Sequence, residues 1–242
     1  MNEISIDDLR HQQEIQGRLN AETKARRGMY LAFNECIDLI PNAEPLRNIV
    51  RDHFMLVMDA PGSTGNHQAW QGGYVDHVTE TMNIATQMYF KFEELRGLPF
   101  VLSDPLIVLY LHDLEKQWKH LLPQSPDMCL SGHKKVDHRR SNAWSDAACI
   151  HCHDLPRNCN MFRHVELKTK EDRRAFRDGM IVEYDILLSD SQRNALRYVE
   201  GVPDSEYSPK ERTMGELAAF CHMADIASAR LWFDWGWEHS WR

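Results

Sequence analysis

The 242-residue chain is 43% hydrophobic and 26% charged, ordinary for a globular protein and long enough for one sizeable core. Glycine and proline number only 12 and 10, which excludes collagen-like, mucin-like and largely disordered chains, and a net charge of −8 argues against holding duplex nucleic acid mainly by counterion release. The start MNEISIDDLR is unlike a secretory signal or transit peptide, and no apolar run reaches the roughly 18–20 residues that cross a bilayer, so a cytoplasmic protein without membrane contact is expected.

Most segments read as helix and strand patterns are short and few, so the expected fold class is all-α, with residues 1–54 a helical segment packing on a core domain of residues 55–242. Ser5-Ile6-Asp7-Asp8 caps a polar helix running toward Arg27 and Gly28. Apolar helices follow around Tyr30–Ile40 and Ala43–Met58, with Pro41 between them. Pro61 to Gly73 is a loop by its Gly and Ser content. From Tyr74, the positions Val75, Val78, Met82, Ala85, Met88, Tyr89 and Phe92 recur at helical spacing and predict a long amphipathic helix.

Ser103-Asp104-Pro105 opens the next helix, which carries the run Leu106–Leu111 and then His112-Asp113. Residues from about Pro123 to Lys170 are less regular. Helices resume over Lys170–Leu188 and Asp190–Glu200, the second ended by Gly201. Ser208-Pro209-Lys210-Glu211 reads as a capping box that launches a last helix through Asp225 to about Phe233.

Thirteen histidines is a high count, and it points to metal chemistry. The chain has two His-Asp dipeptides, His112-Asp113 and His153-Asp154, so the dipeptide alone carries no weight. Context does: His112 and Asp113 end a very apolar turn, where unpartnered polar groups would cost several kcal/mol. Lys116, four residues beyond His112, is expected on the same helical face. Imidazole, carboxylate and ammonium on one buried patch suit a metal ion beside a phosphate, and equally a His–Asp hydrogen bond with Lys116 at the surface. His77 sits beside Val75 and Val78 in the helix after Gly72-Gly73, a position that a carbonyl-bonded core histidine would also occupy. Asp225, among Ala224, Ile226, Ala227 and Ala229, needs a cation or several donors.

These pieces together resemble HD-domain metal-dependent phosphohydrolases: Gly72-Gly73 to His77, then His112-Asp113-Leu114-Glu115-Lys116, then Ala224-Asp225 with Ser228-Ala229. The loop Pro61 to His67 is similar to that of HD domains related to exoribonucleases and relaxase-associated proteins, where an Asn-His pair precedes the Gly-Gly turn. The resemblance spans residues 55–233 and implies a helical bundle. His77, His112, Asp113 and Asp225 would bind a first divalent ion, with Asp113 placed to bridge to a second and Lys116 contacting a substrate phosphate. His67 is a candidate substrate contact. One or two ions of Mn, Fe, Co, Ni, Zn or Mg would suit these ligands, supplying a water activated for attack at phosphorus. The chain departs from the family at Glu115, where many relatives carry glycine; it could act as an acid or base or face water.

The segment after Lys116 departs too, being long and rich in His and Cys. In binuclear relatives two further histidines bind the second metal, and His133 and His151 are the candidates ahead of His138 and His153. Cys149-Ile150-His151-Cys152-His153 matches a haem-attachment motif, which would need export. Cys149, Cys152 and Cys159 with His153 or His164 could instead hold a structural zinc, or be small buried thiols of a helix. The Trp-rich end, Trp232 to Trp241, could stack a base, cover a subunit interface of a homo-oligomer, or anchor on the core. Arginines 139, 140, 157, 163, 173 and 174 could grip phosphates or be solvated surface. The expected activity is hydrolysis of a phosphate ester or anhydride of a nucleotide or short nucleic-acid end. The alternatives are a di-iron HD oxygenase cleaving a C–P or C–C bond, and a non-catalytic metal-stabilised module.

Overall fold

A computed structural model describes residues 29–63, 67–119, 167 and 169–231, and every regular element among them is a helix, in agreement with the expected all-α class. In chain order these are α1 (Phe33–Asp38), α2 (Glu44–Asp52), α3 (Phe54–Asp59), α4 (Gly73–Leu95), α5 (Ser103–Leu111), α6 (Lys116–Lys119), α7 (Lys170–Glu183), α8 (Asp190–Tyr198) and α9 (Glu216–Leu231). No helix among the described residues is long and apolar enough to cross a membrane. The expected helix from Ser5 toward Arg27 lies outside the described residues. By packing, the chain divides into two units, residues 1–44, 78–112 and 188–232, and residues 45–77, 113–187 and 233–242.

The first unit is built on α5, whose Leu106, Val108, Leu109, Tyr110 and Leu111 are all buried. Burial of each such side chain contributes about 1.5–3 kcal/mol. α5 packs on α1, α8 and α9, and α9 packs on α8. Phe33 of α1 stacks on Tyr110, and Phe220 of α9 meets Phe92 and Phe100 edge-on. The Ser189 and Gln192 capping box starts α8, and the Gln192 amide reaches Asp104 in the first turn of α5 at 2.7 Å. Gly201, at φ +99°, ends the segment as expected.

Two expectations fail in this unit. The last helix does not start at Ser208; it starts at Glu216. The Ser208 hydroxyl accepts from Lys210 N–H two residues on, a local turn, while Asn194 of α8 bonds Gly215 N–H and the Thr213 carbonyl and holds this stretch out of helix. The long helix α4 is not amphipathic over its first half. Tyr74 through Asn83 are buried on every face, polar residues included.

The second unit holds α2, α3, the first turn of α4, α6 and α7. The single helix expected over Ala43–Met58 is broken at His53, which adopts φ −124° and begins α3. The reason is tertiary: the His53 ring is 3.0 Å from the Tyr184 hydroxyl and packs edge-on against Trp118, itself 4.9 Å from Phe176. α7 starts on a Thr169–Asp172 box and stops at Glu183, short of Leu188. Asp185 takes the left-handed conformation at φ +51°, and Ile186 N–H returns to the Ile181 carbonyl while Asp185 N–H reaches Val182, a glycine-type helix stop made by aspartate.

Candidate metal centre

Three glycines set the start of α4. Gly62 N–H donates to the Gln68 carbonyl at 2.8 Å. At Gly73 an added Cβ would stand 1.9 Å from that same carbonyl oxygen, so no other residue fits without moving backbone. Gly72 takes φ +79°. Tyr74 N–H donates to the Ala60 carbonyl, and Trp70 Nε1 donates to Asp76 at 2.7 Å. The loop is thereby stapled to the end of α3, and His77 comes one turn into the helix with none of its surface exposed.

The other end of the site is a change of helical gauge. α5 stops at Leu111, not beyond Asp113 as the expected common face with Lys116 required. Residues 112–115 form turns, with Lys116 N–H on the Asp113 carbonyl and Trp118 N–H on that of Glu115. These three-residue steps still bring Lys116 back over Asp113, because tighter turns align residues three apart.

The side chains close on one another. His77 Nε2 lies 3.3 Å from Asp113 Oδ2, and Lys116 Nζ lies 2.5 Å from the same oxygen. His112 Nε2 lies 3.5 Å from Asp225 Oδ1. Ligand atoms of His77, His112 and Asp113, all buried, fall within 4.8 Å of one another. Ligands about 2.0–2.2 Å from one ion stand roughly 3–4 Å apart, so a small inward shift would suit a divalent cation. His112 Nδ1 is 2.6 Å from the Leu109 carbonyl. A carbonyl only accepts, so Nδ1 carries a proton and Nε2 is the ring atom left to ligate, the orientation that metal-ligating histidines commonly have. The donor set therefore fits a metal ion. Its imidazole and carboxylate donors leave the identity of that metal open.

Asp225 is placed by its helix. One turn after it, buried Ser228 donates to Glu80 Oε2 of α4 at 2.5 Å, which locks the register of α9 against α4. Glu115 does not face water: it is 5% exposed. Burial, then the charge of Asp113, pushes its carboxyl up to about 7, against the opposing pull of Arg177 and Lys116. The His67 ring is 5.0 Å from that of His77. His133, His138, His151, His153, His164, Cys149, Cys152, Cys159 and the Trp-rich end lie outside the described residues.

Sequence reasoning missed Tyr74 and Gln117. Both are wholly buried, and neither the Tyr74 hydroxyl nor either end of the Gln117 amide completes a hydrogen bond. The amide is nonetheless near enough to favour the ionised phenol, while burial drives the Tyr74 hydroxyl far above its ordinary range. Their adjacency to Gly73 and Lys116 was the available signal. No protein-family model, curated protein or solved structure matches the chain.

Proposed function

We propose that the protein is an HD-type metal-dependent phosphohydrolase acting on a phosphate ester or anhydride of a nucleotide. The observation that carries this reading is the buried His77–His112–Asp113 group with the Lys116 ammonium on Asp113. The order of these residues along the chain, followed by Asp225 beside His112, supports it, as does the all-helical architecture expected of that family.

His77, His112, Asp113 and Asp225 would hold the first divalent ion. When bound, such an ion lowers the pKa of a coordinated water toward about 7 and so supplies a hydroxide equivalent at neutral pH. The buried walls around His77 and Asp113 keep bulk water from screening the charges. Lys116 would bind the phosphoryl oxygens, an electrostatic contact commonly worth a few kcal/mol in the transition state. Glu115, whose carboxyl is pushed up to about 7 and so keeps a substantial protonated fraction at neutral pH, could hold the proton that a leaving oxygen requires at its carboxyl.

The test is phosphate release from a panel of nucleoside mono-, di- and triphosphates and dinucleotides, with each candidate metal added to chelator-treated protein. Metal-dependent release that Asp113→Ala abolishes is the expected result. Absence of release with every metal and substrate, or full activity in Asp113→Ala, overturns the reading. Oxygen consumption with bound iron would assign the same residues to oxygenase chemistry instead.

A further inference from the structure

Lys116 stands on the oxygen that a metal would need. Its Nζ is 2.5 Å from Asp113 Oδ2, and the two side chains are only 15% and 3% exposed. His77 Nε2 is 3.3 Å from that same Oδ2, so this is the Asp113 oxygen turned toward a proposed ligand atom, not one turned away from it. A neutral donor on the far oxygen of a ligating carboxylate orients it and strengthens metal binding. An ammonium on the near oxygen does two other things. It takes a lone pair that the ion would use, and it places a positive charge beside the ion where little water screens it.

We propose that Lys116 is a tethered cation that competes with the metal for Asp113 and thereby sets the affinity of the site. The inference rests on the reading of His77, His112 and Asp113 as metal ligands. On this view the ion enters by displacing an ammonium already in place. The displaced ammonium is then available to a phosphate. Lys116 therefore lowers metal affinity in the free protein while serving the loaded one, and removing it should strengthen metal binding even as it impairs phosphate contact.

The experiment is calorimetric titration of Mn²⁺ into the full chain after chelator treatment, comparing wild type, Lys116→Met and Lys116→Arg, each also combined with His77→Ala. Lys116→Met should tighten Mn²⁺ binding about tenfold or more, the scale on which residues neighbouring a ligand set metal affinity. Lys116→Arg, which keeps the charge, should give no such gain, and the gain should vanish with His77→Ala. Unchanged or weaker binding by Lys116→Met, or equal tightening by Lys116→Arg, overturns the proposal. If wild-type binding is absent, or indifferent to His77→Ala, the metal reading itself falls and takes the proposal with it. If wild-type binding needs His77 but Lys116→Met gains nothing, only the proposal falls. Should metal-free Lys116→Met be unfolded, Lys116→Gln, which also removes the charge, is titrated instead, and binding no tighter than wild type overturns the proposal.

Discussion

Lys116 and Glu115 are consecutive, yet their surroundings assign them different work. Lys116 reaches Asp113 from a partly open position, whereas Glu115 is enclosed near Asp113 and Arg177. Lys116→Met should lower phosphate release by roughly 10²–10³-fold, the loss expected when one charge contact to the transition state is removed. Glu115→Gln, nearly isosteric, should cost less than about tenfold unless Glu115 donates the leaving-group proton. Steady-state rates of the two variants decide between these roles. The buried thiols offer a pH prediction. Burial, then the Glu35 charge, pushes Cys36 up to about 12, and burial places Cys221 well above its ordinary value. The folded pKa exceeds the unfolded one, so the stability Cys36 contributes is complete below about pH 9 and is lost as pH rises toward 12. At pH 8.5 Cys36 should react with iodoacetamide about 10³-fold more slowly than in urea-unfolded protein, and Cys221 should be slowed as well. Peptide mapping of the alkylated sites measures this, and fast native labelling of Cys36 would contradict its burial.

Among elements, the start of α4 depends on backbone approach more than on side chains. Gly73→Ala would drive a Cβ into the Gln68 carbonyl, and the resulting shift should cost about 2–4 kcal/mol and displace His77. Gly179, inside α7, has open space around it, so Gly179→Ala should stabilise by about 0.5–1 kcal/mol through helix propensity. Urea unfolding of both variants checks the opposite signs. The Gly-Gly turn, the Ser103-Asp104-Pro105 start and the dipeptide ending the α5 run were legible because each is written in local composition. The break at His53 was not, since it is imposed by Tyr184 and Trp118, both distant in sequence. The start of α9 was misread for the same reason: Asn194 overrides a capping pattern that is locally sound. The site residues could be picked out because polar groups in apolar runs need partners. Tyr74 and Gln117 escaped because a phenol beside glycine and an amide beside lysine look unremarkable in one dimension.

At the scale of the whole molecule, the proposed ligands come from segments far apart in sequence, around residues 77, 112–113 and 225. In the unfolded chain no such group is assembled, so an ion that binds there binds the native state almost alone. Its binding free energy then adds to folding stability. At an Mn²⁺ concentration 100 times Kd, the gain is about 2.7 kcal/mol. For a chain of 242 residues that corresponds to a rise in Tm of about 5–10 °C. Scanning calorimetry of chelator-treated protein with and without Mn²⁺ measures it. His77→Ala, His112→Ala and Asp113→Asn should each lose most of the rise. Asp225→Asn should lose less, because Asp225 is the more exposed carboxylate, at 18% against 3% for Asp113. Metal-free Asp113→Asn leaves the largely buried Lys116 ammonium without that anion, so its Tm without metal should also fall. A full Tm rise surviving in all four variants would place the ion elsewhere in the chain and remove the basis for reading this His/Asp group as a metal centre.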